Sequence, residues 1–190
     1  MKFFNKDLII LITFLIFVFI SCKKNVLGPQ ENNSYFPMKV GNSWTYADRD
    51  TFTLSIVGTK NINNHEYYVF TSTKNFFLFF ADTAYYRQNT DGKIFKYLPY
   101  HNKEYLAFCL AESDTNWSSL GFSISSSNIH EIISIPYGEY KGDYKEYFKI
   151  TYFGGIDAVI HVDFIKGIGP IRILDAAWGQ NYLLIKSHIL

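Results

Sequence analysis

Thr51-Phe-Thr-Leu-Ser-Ile-Val57 alternates hydroxyl and apolar side chains, so an extended chain turns Phe52, Leu54 and Ile56 to one face and Thr51, Thr53 and Ser55 to the other. That period of two predicts a half-buried strand. Outward from it, residues 66–73, 93–98, 129–135, 144–152, 158–165, 171–177 and 182–189 are similar runs rich in Tyr, Phe, Ile and Val. The breaks at 48–50, 61–65, 89–92, 138–143, 154–155 and 179–181 supply the Asp, Asn and Gly that tight turns use. Residues 101–112 could wind as helix or strand and are read as strand. No 3.6-residue period persists over twelve residues. The pattern predicts an all-β fold: a single antiparallel meander of about ten strands forming a strongly curved sheet or open barrel.

The chain has 190 residues, with 18 Lys and Arg against 17 Asp and Glu, a formal net charge of +1. Such a balance gives no field to draw in a polyanion, so nucleic acid is not an expected partner. Hydrophobic residues make up 48% and aromatics 19%, too apolar a composition for a disordered chain.

At the start, Lys2 and Lys6 precede an apolar run over residues 8–20, interrupted only by Thr13 and followed at once by Ser21-Cys22. As a helix this run would reach about 20 Å, short of the roughly 30 Å hydrocarbon core of a bilayer. It reads as a secretory signal spanning residues 1–21. A small residue directly before a Cys resembles the bacterial lipobox, in which the thiol takes a diacylglyceryl group and the Cys becomes the acylated N-terminus. The resemblance implies lipidation at Cys22, with residues 22–35, rich in Lys, Asn, Gln and Gly, as a flexible tether with a reach of roughly 20 Å. Residues 36–190 then form a single all-β domain. The Lys23-Lys24-Asn25 that follows lacks the acidic residues that mark surface-exported lipoproteins, which favours the periplasmic side. Cys109, the other of the two cysteines, lies in an apolar run with no adjacent base and reads as a small buried hydrophobe.

Four phrases at three places carry a wider resemblance. Tyr35-Phe-Pro-Met-Lys-Val-Gly-Asn-Ser-Trp-Thr-Tyr46 opens the domain. Ala84-Tyr-Tyr-Arg-Gln-Asn-Thr-Asp-Gly-Lys-Ile-Phe-Lys-Tyr97 follows, and then Ile135-Pro-Tyr-Gly-Glu-Tyr140 with Phe164-Ile-Lys-Gly-Ile-Gly-Pro-Ile171. Together they resemble uncharacterised lipoproteins of Bacteroidetes and Ignavibacteria-like bacteria, with departures at Tyr137 and Pro170. The resemblance implies an anchored β domain and carries over no catalytic residue. On physical grounds, Gly41-Asn42 would turn the chain so that Trp44 and Tyr46 plug the core from one face. Gly167-Ile-Gly169 precedes a strand, which fits a bend or bulge and excludes a dinucleotide fingerprint.

Chemistry-bearing motifs are scarce. There is no His-Glu-x-x-His, no Cys-x-x-Cys and no phosphate loop, and the chain is read as non-enzymatic, without catalytic residues, metal ligands or cofactor. His161 and Asp163 would share one strand face about 7 Å apart, a spacing open to a shared metal or proton or to cross-strand hydrogen bonds. Phe76, Phe77, Phe79 and Phe80 break the two-residue period. They are either a strand or loop buried in the core, or a hydrophobic rim that grips an apolar ligand, a partner or the membrane.

Three functions stay open. The first is an envelope protein, held on a membrane by its N-terminal lipid, that binds an apolar or amphipathic ligand or an envelope protein partner. The second is an envelope scaffold with a solid core. The third is an enzyme with a dispersed Asp, Glu and His site.

Overall fold

The computed structural model describes residues 34–74, 83–155 and 158–190. Cys22 and Phe76, Phe77, Phe79 and Phe80 lie outside the described residues. Within these, the chain is all-β, with fourteen strands and no helix. They are β1 (Ser43–Ala47), β2 (Thr51–Ile62), β3 (His65–Ser72), β4 (Thr83–Gln88), β5 (Lys93–Leu98), β6 (Lys103–Cys109) and β7 (Asn116–Ser119). Then come β8 (Phe122–Ile129), β9 (Ile133–Ile135), β10 (Gly142–Tyr144), β11 (Tyr147–Phe153), β12 (Val159–Ile165), β13 (Gly169–Asp175) and β14 (Gln180–His188).

Twelve strands form one antiparallel sheet in the order β6-β5-β4-β3-β2-β1-β14-β13-β12-β11-β8-β7, curled so that its two edges approach each other in a nearly closed barrel. The strand count exceeds the expected ten because β7 and most of β8, over 116–128, fall outside the runs read as strands, and because two runs each reach into more than one strand. Residues 129–135 are split between β8 and β9, and 144–152 between β10 and β11. The chain leaves the large sheet after β8, forms the separate β9–β10 hairpin, and returns as β11. Ile133 and Ile135 are buried, so apolar alternation continues although the surface being covered has changed. This hairpin lies along β14: the Glu139 amide donates to Ile185 O at 2.7 Å, and the Tyr140 and Ser187 hydroxyls pair. Gly138 has φ of 86°, and a Cβ there would come within 2.6 Å of Ile185 O, so the hairpin can approach this closely only through a glycine.

The alternation of 51–57 survives in β2, whose Phe52, Leu54 and Ile56 are buried. Twelve strands around a circular section would leave a lumen. Here aromatic rings fill the middle. Phe36, from the segment ahead of β1, packs against Trp44 of β1, Phe70 of β3, Phe108 of β6 and Phe164 of β12, at centroid separations of 5.6, 5.5, 5.8 and 5.9 Å. Phe108 and Phe164 also meet directly at 5.4 Å.

Two of the phrases quoted above interlock. Trp44 is fully buried, and its indole N–H donates to Ile168 O at 2.7 Å, while the Tyr46 hydroxyl donates to Pro170 O at 2.8 Å. A Cβ on Gly169 would sit 2.8 Å from the Trp44 indole nitrogen, and the residue has φ of 105°, so this glycine admits the ring. The register slips between Asp163 and Phe164 opposite Pro170 to Arg172, the bulge expected near Gly167-Ile-Gly169. Buried Asn42 completes the clasp: its amide donates to Pro37 O at 2.7 Å, and its side-chain oxygen accepts from the Leu190 amide at 2.9 Å.

Candidate functional site

The edges of the large sheet are β6 and β7, which follow each other in sequence yet form no backbone ladder. Side chains bridge them instead. The Trp117 indole N–H of β7 donates to Leu106 O at 3.2 Å, and the Tyr152 hydroxyl of β11 donates to Ala107 O at 2.7 Å. Single hydrogen bonds of this kind are worth about 1 kcal/mol net each, so the seam is weaker than any paired strand boundary. A cleft runs along it. Tyr105, Leu106 and Ala107 of β6 line one side, Ser119, Leu120, Phe122 and Ile124 the other, and Lys96 and Tyr152 also contribute. Its free volume is about 10 Å³, close to the room one water needs.

Lys96 is the unusual member. Register pairs it with Tyr86 on one side and Tyr105 on the other, and only 7% of the residue is exposed. Lysine is seldom buried to this degree. Its Nζ lies 5.7 Å from the centre of the Tyr86 ring, and burial lowers its pKa to about 8. At neutral pH it is therefore still mostly charged, in a setting where charge is costly. Burial also raises the Tyr86 and Tyr152 hydroxyls well above the usual phenol value, so both stay neutral donors. The lining thus combines apolar walls with one cation.

Leu120 is held at a backbone cost. It and Gly121 form the two-residue turn between β7 and β8, with φ of 54° and 82°, where positive φ at both positions favours Asn-Gly. The β2–β3 turn uses Asn63-Asn64 at φ of 50° and 64°, as that preference dictates. A branched apolar side chain in the left-handed region costs on the order of 1 kcal/mol or more, and such outliers gather at binding sites. Here the strained turn places Leu120 in the wall of the cleft.

The other polar clusters are spent on themselves. Glu104 accepts from the Tyr67 hydroxyl and from two nitrogens of Arg87, and burial together with Glu104 pushes Tyr67 up to about 12. His161 and Asp163 do share a face of β12, but each takes a cross-strand partner: His161 Nδ1 meets Thr151 Oγ1 at 2.9 Å, and Arg172 donates to Asp163. Burial holds His161 below its usual value, with Lys149 and Arg172 adding to the effect. Among the described residues no group of three or more His, Cys, Asp or Glu side chains could hold a metal ion. Cys109 is a buried thiol at the end of β6.

Sequence reasoning missed Lys96 and Leu120. In Lys93-Ile-Phe-Lys-Tyr-Leu98, alternation puts either Phe95 and Tyr97 or Ile94 and Lys96 inside, and composition favours the aromatics. The structure buries Ile94 and Lys96 and leaves Phe95 half-buried, while Tyr97 is buried as well. For Leu120 the signal was a hydrophobe before Gly121 at a hairpin. Comparison with family models, curated proteins and solved structures finds no match to the chain.

Proposed function

We propose that this is a non-enzymatic component of the bacterial cell envelope, acylated at Cys22 and facing the periplasm, that binds an apolar or amphipathic ligand at the seam between β6 and β7. The short apolar N-terminal run ending in Ser21-Cys22, and the likeness of its phrases to envelope lipoproteins, support the anchor. Labelling cells with an alkyne fatty acid marks the wild-type chain and not Cys22→Ala; equal labelling of the two overturns the anchor.

The observation that carries the binding half is Leu120, an apolar side chain kept at the cleft in a turn position that suits asparagine. If binding is what keeps it there, Leu120→Asn separates stability from function. Residues 32–190 form one compact unit containing every described strand and the core, so this stretch serves as the soluble domain. In it, Leu120→Asn is expected to keep or raise the melting temperature, by up to about 1 kcal/mol of relieved strain, while weakening the fluorescence enhancement of a neutral naphthylamine probe several-fold. A variant that binds the probe as the wild type does removes the argument.

A second reading is favoured by the ring-filled middle of the sheet, which leaves the space around Phe36 occupied. On that reading the domain is a solid scaffold that meets an envelope partner, and the probe finds no site on either protein.

A further inference from the structure

We propose that the end of the barrel carrying Val40, Val57 and Leu190 rests on the bilayer that holds the Cys22 acyl chains, with the exposed Lys39 and Lys166 meeting its phosphates. The inference rests on acylation at Cys22 and adds which face of the domain that bilayer meets.

The meander fixes what stands at each end. β1 starts, β14 finishes and the β12–β13 turn lies at one end, while the β1–β2, β5–β6 and β13–β14 turns lie at the other. Ser34, the first described residue, belongs to the former end, because the Gly167 amide of the β12–β13 turn donates to Ser34 O at 2.9 Å. Between Cys22 and Ser34 there is only the tether, with its reach of roughly 20 Å. The acyl chains therefore enter the bilayer close to this end. A surface held so near a membrane meets it at a high effective concentration, so a small patch is enough to orient the domain. The opposite end also shows exposed rings, Tyr100 and Trp178, in the β5–β6 and β13–β14 turns. To lay that end on the same bilayer the tether would have to pass along the whole barrel, and β14 alone, nine residues long, extends about 30 Å along the strand.

Gly41 gathers three aliphatic side chains at the tethered end. Val40 precedes it, and the Leu190 side chain lies against it, since a Cβ on Gly41 would come within 2.7 Å of Leu190 Cδ1. Its amide donates to Ile56 O at 2.8 Å, next to Val57. Val40 is 43% exposed, Leu190 55% and Val57 57%. Val57 owes its exposure to a bulge: the β2–β3 register skips it between Ile56 and Gly58, and an extra residue of this kind re-aims a side chain. Aliphatic groups open to water in this way gain by shallow burial at the boundary of head groups and acyl chains. Lys39 stands beside Val40 and Lys166 in the turn that holds Ser34, both exposed, where an ammonium is drawn to lipid phosphate.

The test reconstitutes the full-length chain, purified from membranes, in vesicles of phosphatidylethanolamine and phosphatidylglycerol that contain a phospholipid with a diazirine near the top of one acyl chain. Flotation with the vesicles reads the anchor. After photolysis and trypsin digestion, lipid adducts are mapped by mass spectrometry. Peptides 40–49, 50–60 and 187–190 are expected to carry several-fold more adduct than 97–103 and 173–186, which hold Tyr100 and Trp178. Val40→Asp with Val57→Asp is expected to strip most of the adduct from 187–190, a peptide these substitutions leave unaltered, with flotation unchanged and protease resistance showing the fold intact. Adduct on 187–190 that stays at the wild-type level in this folded variant overturns the docking. Should the variant be degraded, Lys39→Glu with Lys166→Glu decides: full adduct on 187–190 overturns the docking, and a several-fold loss supports it. A wild-type chain that floats but is marked mainly in 97–103 or 173–186, evenly throughout, or nowhere overturns the docking and leaves the anchor standing; in the last case the patch falls to a protein partner. A chain that does not float overturns the anchor, and the docking with it.

Discussion

Trp44→Ala is expected to remove a large share of the stability of the domain. The indole is fully buried, stands 5.6 Å from Phe36, and donates to Ile168 O. Its removal leaves a cavity beside the central ring cluster and a backbone carbonyl without its donor, a loss of about 3 to 5 kcal/mol. A domain of ordinary stability has about 5 to 15 kcal/mol in all. Urea titration of the soluble domain reads the loss as a shift in midpoint at constant slope. Gly169→Ala should cost comparably, since its Cβ would overlap the indole and its φ of 105° disfavours any side chain. Because both changes break one contact, the double variant is expected to lose less than the two singles summed. A Trp44→Ala domain that melts within a few degrees of the wild type would assign the ring to the surface instead.

Arg172→Met is expected to be the other severe change, and its severity should depend on pH. Asp163 is wholly buried, receives Arg172 on Oδ2, and has no hydrogen-bond partner at Oδ1. Burial raises its pKa, against the pull of Arg172. Without the guanidinium the carboxylate is an uncompensated buried charge, a cost of about 3 to 5 kcal/mol at neutral pH. The sign follows from linkage. A carboxyl whose folded pKa lies above its unfolded value loses its proton first in the unfolded chain, so folding stability falls as pH rises between the two values. Arg172→Met raises the folded value further, so its deficit relative to the wild type should be greatest near pH 7 and should shrink as acid protonates Asp163. Asp163→Asn combined with Arg172→Met should recover much of the loss. A deficit that is the same at pH 4 and pH 7 would mean that Asp163 is not the group left unpaired.

How far the sequence could be read depended on whether one surface or two lay behind a given pattern. In Thr51 to Val57 one face meets the core throughout, so Phe52, Leu54 and Ile56 are found where alternation puts them. Trp44 was legible as a core plug because Gly41-Asn42 turns the chain just ahead of it. Residues 129–135 could not be parsed, since Ile129 belongs to the large sheet and Ile133 and Ile135 to the hairpin laid across it. The site was the least legible part. Lys96 faces inward by the same alternation that buries Ile94, against a composition that favours Phe95 and Tyr97, and Leu120 matters through its φ, which no side-chain pattern encodes. Phe36 lies ahead of β1, in no strand, so no periodicity could show that it would centre the core.

The joining of β1 to β14 also orders events in time. Trp44 pairs with Ser187, and Asn42 holds the amide of Leu190, 148 residues further along the chain. Neither contact can form until the last strand exists, so β1 has a partner on one side only while the rest is being made. Contacts this distant in sequence slow folding, because the loop must close before any reward is collected. The meander from β1 to β6 can therefore pair on its own before β14 joins it to β13, β12 and β11.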